Sequence, residues 1–80
     1  MMEETKPFRT LDVRGLACPI PVTKTSQAIK DIPIGGILEV LATDPGALMD
    51  IPAWAKSTGN EVTKVIREGN IIKIYVRRLR

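Results

Sequence analysis

Cys18 is the only cysteine among 80 residues, and the chain has no histidine. Without an imidazole there is no Cys-His or Ser-His pair, no His-bearing zinc site and no histidine general base. With one thiol there is no Cys-x-x-Cys redox pair and no internal disulfide, and no metal site is expected. A nucleophilic thiol without those partners suits accepting a group and passing it on by thiol exchange better than acid–base hydrolysis. The neighbours Arg14, Gly15, Pro19 and Pro21 set its surroundings. Cys18 falls at the N-cap of a helix or just outside it, where the positive end of the helix dipole lowers a thiol pKa, and Arg14 can supply a cation. Pro19 and Pro21 are tolerated in a first turn but remove two amides that could have bonded the sulfur. The expected depression is therefore modest, while the rings fix the backbone and line the sulfur with apolar surface. On the residues alone two readings stay open. Cys18 is either a small buried hydrophobe or an exposed nucleophile at a strand–Gly–loop–helix junction.

The elements that would position it follow from periodicity. Phe8 to Val13 reads as a strand, with Leu11 and Val13 alternating against Thr10, Asp12 and Arg14, and Gly15 turns the chain. Val22, Thr25, Ser26, Ile29 and Ile32 recur at helical spacing until Pro33 and the Gly35-Gly36 turn stop the helix. Ile37 to Thr43 is an apolar run short enough for a central strand. Asp44-Pro45-Gly46 and Asp50-Ile51-Pro52 both read as helix starts with the aspartates as caps. They predict a loose first turn and then a firm helix from about Ile51 to Thr58, closed by Gly59. Glu61 to Glu68 and Ile71 to Arg78 form a hairpin around Gly69-Asn70. The order β-α-β-α-β-β implies an α+β two-layer sandwich: a mixed four-stranded sheet with two helices on one face.

Composition agrees with such a fold. Hydrophobic residues make up 44% and charged residues 26%, which excludes disorder and coiled coil, and with Phe8, Trp54 and Tyr75 as the only aromatics the core must be aliphatic. One domain over residues 1–80 is expected, ordered from about residue 8, with 1–7 as a flexible tail. The acidic, polar start is unlike a signal peptide and no apolar run approaches a membrane span, so a reducing cytoplasm is expected. The net charge of +3 comes entirely from Lys73, Arg77, Arg78 and Arg80. Arg77, Arg78 and Arg80 are candidates for docking an acidic partner, and Trp54 reads as a packing residue that could alternatively serve docking. Asp12 and Arg14 either orient the loop as a local ion pair or form a solvated pair worth ~0–1 kcal/mol.

Two motifs carry a family resemblance. Leu11-Asp12-Val13-Arg14-Gly15-Leu16-Ala17-Cys18-Pro19-Ile20-Pro21 resembles the L-D-x-R-G-x-x-C-P-x-P opening of the TusA/SirA sulfur-carrier family. Asp44-Pro45-Gly46 to Asp50-Ile51-Pro52-Ala53-Trp54 resembles its D-P-G-x-x-x-D-I-P-x-W segment. The resemblance runs from about Leu11 to Arg78, and two motifs in register are far more specific than a lone C-P-x-P. It implies the sandwich reached above and a persulfide carried on Cys18, with Asp12, Arg14, Gly15, Pro19 and Pro21 as the supporting motif. Sulfur would come from a cysteine desulfurase or a rhodanese-like donor and go to an acceptor protein. Many relatives have cysteine where this chain has Ala55 and histidine where it has Asn60, so a single-cysteine relay is implied.

The function expected is that of a cytoplasmic sulfurtransferase, a carrier rather than a multi-turnover hydrolase. It would use no cofactor beyond the covalent cysteine persulfide and touch neither membrane nor nucleic acid. The alternative is a small RNA-binding module built on the basic last strand, suggested by the sequence pI of about 9.4. Against it, the three aromatics form no stacking motif, and the body of the chain before Lys73 carries no basic surplus.

Overall fold

Four strands and two helices alternate as the sequence pattern predicts in a computed structural model that describes residues 6–80. The strands are β1 (Arg9–Val13), β2 (Ile37–Ala42), β3 (Glu61–Glu68) and β4 (Ile71–Arg77). The helices are α1 (Ile20–Ala28), which tightens into a 3-10 turn over Ile29–Asp31, and α2 (Ala47–Thr58). The expected flexible tail falls mainly outside the described residues; Lys6 and Pro7, which are described, carry no regular secondary structure.

Sheet order is β1-β2-β4-β3, with β1 parallel to β2 and the other two pairs antiparallel. The β1–α1–β2 unit is thus a parallel crossover, whereas β3 ends two places from β2 because β4 inserts between them. The last strand is therefore interior, and the sheet edges are β1 and β3. Leu38, Val40 and Ala42 of β2 face one way and pair in register with Val76, Ile74 and Ile72 of β4. These six join Val13, Ile29, Ile32, Ala47, Ile51 and Ala55 in a single core, so both helices lie on that one face. Burying a side chain of this size contributes roughly 1.5–3 kcal/mol, which makes this aliphatic layer the main stabilising element. The other face is half-exposed and carries Glu39, Leu41, Lys73, Tyr75 and Arg77.

Helix α2 departs from expectation at its start. It begins at Ala47 rather than near Ile51, with Gly46 as its N-cap and no side-chain cap. The backbone closes the first turn unaided, Ala47 N–H donating to the Asp44 carbonyl at 3.0 Å and Asp50 N–H to the Gly46 carbonyl at 2.9 Å. Pro52 lies inside the helix and forgoes only the single bond to the Leu48 carbonyl. Neither Asp44 nor Asp50 caps a helix, so both expected caps are corrected; their side chains are engaged elsewhere.

Candidate functional site

Parallel pairing brings the site together. Val13 of β1 is in register with Ala42 of β2, so the loops that follow both strands emerge side by side at one end of the sheet. The first loop carries Arg14 to Pro19 and the second Thr43 to Gly46. Gly15 adopts φ 81°, a conformation that costs a residue with a Cβ, and its N–H donates to Thr43 Oγ1 at 2.9 Å, tying the loops together. Asp12 accepts the backbone N–H of Arg14 at 3.0 Å and its guanidinium in a fork at 2.9 and 2.8 Å. The Arg14 contacts hold the Asp12 carboxyl down at about 2. The ion pair is formed, with both side chains about half exposed to solvent. Arg14 is consequently turned to Asp12, and the cation expected to assist the thiol is committed elsewhere.

Cys18 is exposed, so it is no core residue. Its backbone N–H donates to Asp44 Oδ2 at 3.0 Å and its thiol donates to Asp50 Oδ2 at 2.7 Å. The Asp50 hydrogen bond, then desolvation and the charges of Asp50 and Asp44, push the thiol pKa up rather than down. This corrects the expected depression, and the cause is local. Helix α1 starts at Ile20 with Pro19 as N-cap, Pro19 and Pro21 bring no amide, and the Ile20 N–H is spent on the Ala17 carbonyl at 3.0 Å. The helix terminus has few free donors to offer, while a carboxylate in contact is a full charge.

The prolines divide their roles. Pro19, joined to Cys18 by a cis peptide bond, is exposed beside the sulfur, whereas Pro21 is buried and its carbonyl accepts the Thr25 hydroxyl at 2.7 Å. Gly46 keeps the acidic side open: a Cβ there would come within 3.2 Å of Asp44 Oδ2 and 3.6 Å of Asp50 Oδ2. Trp54, one turn beyond Asp50 on α2, is half-buried and packs against the core. Arg77, Arg78 and Arg80 are not brought to the thiol. β4 runs antiparallel to β2, so Arg77 pairs with Ile37 at the opposite end of the sheet from Ala42. Arg78 donates to the Ile32 carbonyl at 2.8 Å and to the Arg80 carbonyl at 2.7 Å, and the Arg80 side chain lies over Gly59. No three metal-ligating side chains converge among the described residues.

The chain is a two-layer α+β sandwich that presents one exposed thiol at a strand–Gly–loop–helix junction. The chain matches the family described as Sulfurtransferase TusA over residues 9–78, and it belongs to that family. YrkF of Bacillus subtilis (strain 168) is 47% identical over 68 residues, which cover 85% of this chain and 37% of YrkF. The chain therefore spans little more than a third of that relative. Sulfur carrier protein TusA of Allochromatium vinosum is 37% identical over 68 residues, 85% of this chain and 90% of that protein. Among solved structures, the SirA-like protein from Desulfitobacterium hafniense superimposes with a TM-score of 0.79 over 91% of this chain and all of the other, at 21% identity, which supports the fold. Family membership supports a sulfur-carrier role and, with it, contact with donor and acceptor proteins in general. No helix among the described residues is long and apolar enough to cross a membrane.

Proposed function

We propose that this chain accepts a sulfane sulfur on Cys18 as a persulfide and relays it to an acceptor protein. The observation that carries this reading is the exposure of the sole thiol on a loop pinned at two points to the loop after β2, by Gly15 to Thr43 and by Cys18 to Asp44. In loading, Sγ attacks the terminal sulfur of a donor persulfide. The new S–S bond forms as the donor's S–S bond breaks, the donor leaves as a thiol, and the transferred sulfur is neither oxidised nor reduced. The covalent persulfide is the only intermediate and no cofactor takes part. A cysteine desulfurase or a rhodanese-like protein is the class of donor, and Asp12, Arg14, Gly15, Pro19 and Pro21 act by holding the loop. Ile20, two residues beyond the thiol, and Met49, which precedes the Asp50 that the thiol contacts, are 42% and 78% exposed and give an approaching protein apolar surface to cover.

The test is incubation with a cysteine desulfurase and cysteine, followed by intact-mass measurement. The parent gains one sulfur atom and Cys18→Ala gains none. A parent that gains no sulfur, or an alanine variant that still does, overturns the reading. Neither the interior position of the basic strand nor the engagement of Arg78 favours the RNA-binding alternative.

A further inference from the structure

Two carboxylates close on Cys18 from one side. Asp44 reaches the backbone N–H and Asp50 the sulfur itself, and the two converge across Gly46. Among the described residues neither has a salt-bridge partner, and Arg14 is held in its fork to Asp12. Such a pair treats the two states of a carrier in opposite ways. An empty Cys18 is a neutral donor that satisfies Asp50. A loaded Cys18 ends in a hydropersulfide, a stronger acid than a thiol; at neutral pH its terminal sulfur is an anion, and the S–H donor on Sγ is gone.

We propose that Asp50, with Asp44 behind it, is the release device of the carrier: it stabilises the empty thiol by a hydrogen bond and repels the anionic terminal sulfur, so that Cys18 holds sulfur less tightly than a free thiol does. This rests on Cys18 being the sulfur-carrying residue. In discharge to an acceptor thiol, the terminal sulfur bonds to the acceptor sulfur while its bond to Sγ breaks. Sγ keeps the electron pair and takes up the proton the acceptor gives up, restoring the S–H to Asp50 contact. The acceptor leaves as the persulfide anion, charge is conserved, and no oxidant or reductant is required. Like charges roughly 5 Å apart at a wet surface change such an equilibrium by about fivefold to tenfold.

The experiment equilibrates the protein with glutathione and glutathione persulfide at set ratios and reads the loaded fraction by intact mass. Asp50→Asn is expected to move the equilibrium toward the loaded form by about fivefold to tenfold, Asp44→Asn by less, and Asp50→Glu, which restores the charge, to reverse most of the shift. Raising salt from ~0.05 to ~1 M is expected to raise loading of the parent and to leave Asp50→Asn nearly unmoved, a comparison whose parent arm needs no variant to fold. An Asp50→Asn equilibrium equal to or below the parent's, or a parent indifferent to salt, overturns the proposal while sulfur is still gained on Cys18. If the parent gains no sulfur at any ratio, or Cys18→Ser gains it, the carrier reading itself fails and takes the release device with it.

Discussion

At the scale of single residues, the contact between the Cys18 thiol and Asp50 outweighs everything else that acts on the sulfur. A raised thiol pKa means slow alkylation at neutral pH, so the alkylation midpoint of Cys18 is expected above that of an ordinary thiol. Asp50→Asn is expected to bring it down, because the neutral amide accepts a hydrogen bond without penalising the thiolate; a midpoint that stays or rises in that variant contradicts the assignment. Cys18→Ala is expected to melt within about 1 kcal/mol of the parent, since an exposed side chain leaves no cavity in the core. A much lower melting temperature would place the cysteine in the packing. The sequence shows a single thiol placed at a loop–helix junction but not how it is tuned. Asp44 and Asp50 are plain in the motif, and local grammar assigns acids before prolines to helix caps. Only the parallel register of Val13 with Ala42 turns them toward the sulfur, and a contact across 32 residues has no local signature.

At the scale of elements, alternation and breakers locate all four strands and both helices, because a half-buried strand must alternate and Gly-Asn or Gly-Gly must turn. The start of α2 was not legible from Pro52, since a proline one turn into a helix forfeits a single hydrogen bond that packing of Ala47, Ile51 and Ala55 offsets. The open face of the sheet holds a cross-strand device that sequence does not announce. Glu39 accepts the Tyr75 hydroxyl at 2.5 Å and the Thr10 hydroxyl at 2.8 Å, linking β4, β2 and β1. Accepting these bonds lowers the Glu39 pKa, and donating to Glu39 pushes Tyr75 up to about 12. Tyr75→Phe is expected to cost on the order of 1 kcal/mol in denaturant unfolding. The linkage signs follow from the two shifts. Tyr75 stabilises the fold below the ordinary tyrosine range, and that contribution fades as pH rises through about 12. Glu39 contributes above the ordinary carboxylate range, and its share fades as pH falls through its lowered value. The phenylalanine variant should therefore lose the alkaline decline attributable to Tyr75; an unchanged alkaline limb would assign the decline to other groups.

At the scale of the whole molecule the chain is two-ended. The thiol and its carboxylates occupy the end where β1 and β2 finish, and Arg77, Arg78 and Arg80 occupy the end where β4 finishes. Five residue steps along β4, from Ile72 opposite Ala42 to Arg77 opposite Ile37, span roughly 17 Å, about two Debye lengths at physiological salt. The arginines are thus too far away to tune the sulfur. Charge counting along the sequence identifies the basic surplus but cannot see that the last strand is interior, or that one arginine is already used. Arg78 joins the end of the 3-10 turn to the end of β4 through the Ile32 carbonyl, and Ile32 is fully buried. Removing a charged donor from a carbonyl in that position leaves the carbonyl under-satisfied. Arg78→Ala is accordingly expected to lower stability by about 1–2 kcal/mol while loading of Cys18 from a small persulfide proceeds at the parent's rate. The pair Arg77→Ser and Arg80→Ser separates docking from chemistry. Small-persulfide loading should be unaffected by it at any ionic strength, whereas an electrostatic docking role would appear only in transfer to a protein acceptor, as a slower encounter at low salt. If the pair slows small-persulfide loading, the two ends communicate after all. If the parent binds single-stranded RNA with a steep inverse dependence on salt that the pair abolishes, the basic end is a nucleic-acid footprint rather than a structural clasp.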